Sequence, residues 1–146
     1  IAGNRTGKKN KELISLINKY DLNDKCTLLG EVENVDKIYS QSHITILPSS
    51  HGEAFPNVLV ESMINFTPCI STDVGDSAHI ISNTGLVVPV RDYKSLADAI
   101  VKNLIIIKDK NDVYLENCAK VFDLANRNYN INDISNSYLA LWKGTS

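Results

Sequence analysis

The sequence predicts an α/β fold in which a parallel sheet is covered by helices on both faces. Three observations predict it. Short apolar runs alternate with segments of helical periodicity along most of the chain, which is the pattern of βαβ units. The run His43-Ile44-Thr45-Ile46-Leu47 is almost continuously apolar or β-branched and is closed by Pro48, as a strand buried on both faces requires. The chain has 146 residues, 43% hydrophobic and 22% charged. That suits one domain, 1–146, with a proper core.

The elements follow in order. Ile1-Ala2-Gly3 reads as the end of a strand, so the sequence is expected to begin part-way through a unit. Asn10 to Tyr20 carries Leu13, Leu16, Ile17 and Tyr20 at helical spacing. Cys26 to Leu29 reads as a short strand ended by Gly30, and Val35 to Gln41 as a short helix. After the strand His43 to Leu47, Pro56 suits the first turn of a helix running to about Asn65, because its missing N–H costs nothing there. Pro68 to Thr72 is the next strand, Asp73 to Asp76 a loop, Ser77 to Ser82 a brief helix, and Leu86 to Val88 another strand. Asp92 is a good N-cap for a helix whose apolar face is Leu96, Ala99, Ile100, Leu104 and Ile107. Val113 to Ala125 and Ile131 to Trp142 are further helices. The Asn-rich run Asn126 to Asn136 is expected to be a hinge between them, and 126–146 a C-terminal helix and tail. Gly144-Thr145-Ser146 reads as a frayed end, and Tyr138 and Trp142 as packing the terminal helix.

Net charge is −2, with both signs interspersed. This argues against a nucleic-acid partner or an anionic-lipid surface. Lys8, Lys9 and Lys11 are the one basic cluster and read as a solvated face at a helix start. The three cysteines, Cys26, Cys69 and Cys118, are odd in number and widely spaced, so neither a disulfide framework nor a zinc site is indicated. Cys26 and Cys69 read as small hydrophobes, in keeping with a reducing, cytoplasmic setting. No segment reaches the roughly 18 apolar residues of a spanning helix.

The chemistry concentrates in two glutamates, Glu53 and Glu61. Glu53 lies in a polar loop just after an apolar strand. Glu61 lies in a helix that reads as largely buried, where an unpaired carboxylate would be costly. Together they frame the start of one helix, where free N–H groups can hold an anion. Asn57 and Glu61, four apart, share the flank opposite the apolar arc of that helix. A carboxylate accepts hydrogen bonds and cannot donate, so a vicinal diol such as a ribose matches Glu61. Glu53 can reach whatever lies beyond the phosphates. The competing reading is that both acids merely complement a helix dipole, worth about 0.3–1 kcal/mol.

The flanking residues favour the first reading. Leu47-Pro48-Ser49-Ser50, Glu53-Ala54-Phe55-Pro56-Asn57-Val58-Leu59-Val60-Glu61-Ser62-Met63 and Pro68-Cys69-Ile70-Ser71-Thr72-Asp73-Val74-Gly75 resemble the donor-binding half of retaining glycosyltransferases of the GT4 family, also called group 1. These have the GT-B architecture of two facing Rossmann-like domains. Leu28-Leu29-Gly30-Glu31-Val32, Gly85-Leu86-Val87-Val88 and Leu96-Ala97-Asp98-Ala99-Ile100 resemble further segments of that half. The resemblance implies a catalytic role for Glu53 at the transferred sugar and a ribose contact for Glu61. It implies that the backbone of Ala54, Phe55, Pro56, Asn57 and Val58 faces the sugar and diphosphate, and that Gly3, Gly30 and Val32 lie near the base. It implies transfer of a hexose from a UDP- or GDP-linked sugar to a glycan or lipid-linked acceptor, with retention and without a metal or other cofactor. The parent would be cytoplasmic, peripheral at the inner membrane face, and active in polysaccharide biosynthesis. An N-terminal acceptor domain would be its partner.

The sequence departs from the family pattern in several places. Ala54 stands where glycine is common, Ser62 where alanine is usual, and Thr67 where glycine is expected just before the proline of the next strand. The family's first strand and helix, with an arginine and a lysine that grip the diphosphate, are read as preceding Ile1. Arg5 and Lys8 follow the wrong strand to replace them. His51 could line the sugar, but it reads as a surface loop residue, as His43 and His79 read as structural or exposed. Asp73 and Asp76 either reach the ligand or shape the turn at Gly75. The alternative function is a non-transferring relative, such as half of a sugar-nucleotide epimerase or a degenerate nucleotide-binding module.

Overall fold

The computed structural model describes residues 1–4 and 6–144; Arg5, Thr145 and Ser146, and the readings that fall on them, lie outside the described residues. By its internal contacts the chain parts into two compact units, Ile1–Val35 and Asp36–Ser146.

In the first unit, α1 (Lys11–Lys19) is started by Asn10, whose side chain accepts from the Leu13 amide at 3.0 Å, a regular N-cap. The expected strands at Ile1–Gly3 and Cys26–Leu29 shrink to one parallel bridge between Ala2 and Gly30. It is flanked by bonds from the Leu29 amide to the Ile1 carbonyl and from the Gly3 amide to the Gly30 carbonyl. Gly3 and Gly30 both have positive φ, 128° and 70°, which ends the extended pairing at once.

The second unit holds α2 (Asp36–Ser40), β1 (Thr45–Leu47), α3 (Asn57–Ile64), β2 (Cys69–Thr72), α4 (Ser77–Ile81), β3 (Leu86–Val88), α5 (Tyr93–Asp109), α6 (Asn111–Tyr129) and α7 (Ile131–Lys143). The strands form one parallel sheet in the order β1-β2-β3, with Ile46 beside Ile70 and Ile70 beside Leu86. Alternation along β2 divides the core. Cys69 faces Leu59 and Met63 of α3, Ile80 and Ile81 of α4, and Val121 and Ala125 of α6. Ile70 faces the other way, to Val88 and to Leu96, Ala99 and Ile100 of α5. Helices therefore cover both faces, as the alternating pattern predicts.

Several expectations are corrected. β1 is an edge of this sheet and begins at Thr45; His43 is exposed and Ile46 is 39% exposed. Leu104 of α5 is turned out to solvent. The Asn-rich hinge narrows to Asn130, because α6 continues through Asn126 to Tyr129. Tyr138 and Trp142 do not pack α7; they are 70% and 92% exposed.

The turn between α3 and β2 carries another correction. The left-handed residue is Phe66, at φ 59°, one position before Thr67. Thr67 is buried, with its hydroxyl donating to the Tyr39 carbonyl at 2.9 Å. A phenylalanine is strained in that region, and here it is held by stacking on Phe122, ring centroids 4.2 Å apart and 6° from parallel. Phe66→Gly is therefore expected to change stability by less than about 1 kcal/mol, since relief of strain offsets the lost stack. Phe122→Ala removes the stack without that relief and should cost about 2 kcal/mol. Urea denaturation of both variants checks the contrast; equal losses would contradict it.

Candidate functional site

The loops after β1 and β2 leave the carboxyl end of the parallel sheet, where ligands bind in open α/β sheets. Glu53 lies in the first and Asp73–Asp76 in the second. Glu53 is half-buried and accepts a hydrogen bond from the Ser49 hydroxyl at 2.9 Å. The first loop is anchored to β2 by the Thr72 hydroxyl, which donates to the Ser49 carbonyl. The second loop clamps it: the Asp76 amide donates to the Ala54 carbonyl at 2.9 Å. Gly75, at φ 50°, lies so close that a Cβ there would stand 2.5 Å from the Glu53 carbonyl oxygen. Glycine is required at that point.

α3 starts from this clamp. Pro56 is its N-cap residue and is buried, and no side chain caps the helix. The Leu59 amide bonds to the Pro56 carbonyl at 3.0 Å, while the amides of Asn57 and Val58 have no protein partner among the described residues. Such donors, at the positive end of a helix, suit an anion. Ala54, Phe55 and Asn57 are exposed. Val58 packs against the core. The ring of Phe55 meets that of Tyr129 edge-on at 5.6 Å.

Glu61 corrects one expectation. α3 buries Leu59, Ser62 and Met63, but Glu61 lies on its exposed flank with Asn57. Its carboxylate accepts from the Tyr39 hydroxyl at 3.1 Å. It therefore carries no buried-charge penalty and is open to a ligand. Burial, and next the Glu61 charge, hold the Tyr39 phenol well above its ordinary 10.0. A raised phenol stabilises the fold below the unfolded pKa and loses that contribution as pH rises. Stability should therefore fall above about pH 10, and Tyr39→Phe should flatten the fall; urea melts at pH 8 and pH 11 read the difference. Burial also pushes the Cys69 thiol up to about 11, so Cys69 is the small hydrophobe the sequence suggests. No disulfide forms among the described residues.

Gly3, Gly30 and Val32 belong to the first unit. Gly30 is buried and Val32 half-buried. An open groove of about 770 Å³ is lined there by Gly7, Lys8, Lys9, Asn10, Gly30 and Glu31. Lys8 and Lys9, read from sequence as a plain solvated face, thus border a concave surface. Sequence reading also missed Ser49, Tyr39 and Tyr129 as partners of the site. Only Ser49, four residues before Glu53, left a local signal. His51 is exposed and shares a hydrogen bond with the Ser50 hydroxyl at 3.4 Å, and His79 is exposed. No group of three or more His, Cys, Asp or Glu side chains among the described residues could hold a metal ion. No helix among them is long and apolar enough to cross a membrane.

A family model, glycosyl transferases group 1, matches residues 1–119. The chain belongs to that family. An exopolysaccharide phosphotransferase of Streptomyces coelicolor is 39% identical over 97 residues, 64% of this chain and 10% of that protein. The N-acetyl-alpha-D-glucosaminyl L-malate synthase of Bacillus anthracis is 31% identical over 94 residues, 63% of this chain and 24% of that one. A glycosyltransferase from Rickettsia africae superposes with a TM-score of 0.88 at 22% identity, covering 99% of this chain and 38% of that structure. HepE of Anabaena, solved with UDP and glucose, superposes with a TM-score of 0.83 at 15% identity, covering 98% and 39%. This group 1 chain thus spans well under half the length of the relatives it matches. Its α/β fold is that of one half of the GT-B architecture.

Proposed function

We propose that this group 1 domain holds the sugar nucleotide of a retaining hexosyltransferase. One observation carries the reading: Glu53 and Glu61 flank an uncapped helix start at the carboxyl end of a parallel sheet. Glu61 takes the ribose hydroxyls, the amides of Asn57 and Val58 take diphosphate oxygens, and Glu53 meets the transferred hexose and stabilises charge at its reacting carbon. Gly3, Gly30 and Val32 lie near the base. The donor is UDP- or GDP-linked, and that HepE binds UDP and glucose supports the first. An acceptor domain supplies a glycan or lipid-linked acceptor, in polysaccharide biosynthesis at the cytoplasmic face, without a metal. Carboxylate pairs in glycosidases flank the scissile bond; here Glu61 is assigned to the ribose, so the pair does not work that way.

The test is calorimetric titration of the full-length protein with UDP-glucose, UDP-N-acetylglucosamine and GDP-mannose, followed by incubation of the bound donor with glycan acceptors. Micromolar binding and an α-linked product are expected from these α-linked donors. Binding without any glycoside would favour the non-transferring alternative, and no binding at all would reject the reading.

A further inference from the structure

We infer that Tyr129, the last residue of α6, is a positioning residue that fixes the Glu53–Phe55 turn against the transferred sugar; this rests on the function proposed above. The turn is tied at three points. Ser49 holds the Glu53 carboxylate, and the Gly75–Asp76 loop holds the Ala54 carbonyl through the Asp76 amide while Gly75 lies close against the Glu53 carbonyl. The third tie comes from far along the sequence. Phe55 is 42% exposed and lies edge-on to Tyr129, interplanar angle 69°, the geometry in which a ring edge meets a ring face.

Tyr129 is itself anchored. It packs against the cluster of Leu59, Met63, Ile80 and Val121. Its hydroxyl is buried without a hydrogen-bond partner among the described residues. Burial, and next the charge of Asp76, raise its pKa. The hydroxyl gains nothing where it lies, so the ring accounts for the contact. Glu61 is tied instead to Tyr39 on α2. Loosening Tyr129 therefore frees the sugar end of the site and leaves the ribose end held.

The experiment uses the full-length protein and its Tyr129→Leu, Tyr129→Phe and Phe55→Leu variants. Affinities are measured for UDP-glucose, UDP-N-acetylglucosamine and GDP-mannose, each beside its bare nucleotide, UDP or GDP. Amide hydrogen exchange is followed without ligand. Tyr129→Leu should weaken the sugar nucleotide that wild type binds by about tenfold, the scale of one aromatic pair. It should weaken the bare nucleotide less than twofold. Exchange should quicken at Asp76, whose amide donates to the Ala54 carbonyl, and stay unchanged at Ile70. Tyr129→Phe should restore both readouts, because it keeps the ring. If Tyr129→Leu fails to fold, Phe55→Leu must show the same split. Equal losses for sugar nucleotide and nucleotide, unchanged exchange at Asp76, or failure of Tyr129→Phe to rescue each overturn the inference while leaving the proposed function standing. Wild-type protein that binds none of the panel rejects the proposed function and the positioning role with it.

Discussion

Glu61→Ala is expected to weaken sugar-nucleotide binding by the full-length protein roughly a hundredfold without lowering its melting temperature by more than a few degrees. A carboxylate that accepts from two vicinal hydroxyls makes charge-assisted bonds worth about 1.5–3 kcal/mol, and a hundredfold is about 2.8 kcal/mol. The fold should tolerate the change because Glu61 is exposed and, among the described residues, its carboxylate is held by the Tyr39 hydroxyl at 3.1 Å. Exposed substitutions of this kind usually cost within about 0.5 kcal/mol. Glu61→Gln keeps an acceptor and loses the charge, so its affinity should fall between the two. Calorimetry on the three proteins, with thermal melts beside it, reads both quantities. An affinity within twofold of wild type would remove Glu61 from the site.

Gly75→Ala should lower kcat/KM about a hundredfold although Gly75 is assigned no contact with the ligand. The added Cβ would stand against two backbone carbonyl oxygens, those of Glu53 and Ala54. Backbone cannot swing aside as a side chain can, so the Glu53 turn must move by roughly an ångström, a misplacement that can cost about a hundredfold. The left-handed φ of 50° adds strain, and together these should destabilise the fold by about 2 kcal/mol. Steady-state kinetics of the full-length enzyme, with urea melts, check both. Wild-type kinetics in a folded Gly75→Ala protein would show that the turn is not held in the way described.

Much of this was legible in the sequence because it is local. Asp92 caps α5 as expected, its carboxylate accepting from the Ser95 amide at 3.0 Å. The strand at Leu86–Val88 and the start of α3 after Pro56 are visible in short windows whose residues determine their own backbone. The partners of the site are less local. Tyr39 reaches Glu61 across 22 positions, and Tyr129 meets Phe55 from the far end of α6. No periodicity announces such pairs. The flank shared by Asn57 and Glu61 is legible from helical spacing; that this flank stays exposed, with no buried charge on it, depends on where α2 and α6 pack. Phe66 hid for another reason, since a left-handed backbone is expected at glycine, and here a stacked ring holds a residue that does not announce it.

The pairing of α3 with α6 also bears on how this chain leaves the ribosome. Leu59 and Met63 are fully shielded in the finished fold, and part of that shield is Val121 and Ala125. About sixty residues of synthesis separate the two sides, which at 5–20 residues per second is roughly 3–12 seconds. Through that interval the nascent βαβ segment has its Glu53 loop in place in sequence, yet its helix is uncovered on one side. The recognisable family segment ends at residue 119, just short of the residues that close the core. Recognisable family similarity thus stops before the chain has supplied Val121 and Ala125, which complete the shield over Leu59 and Met63.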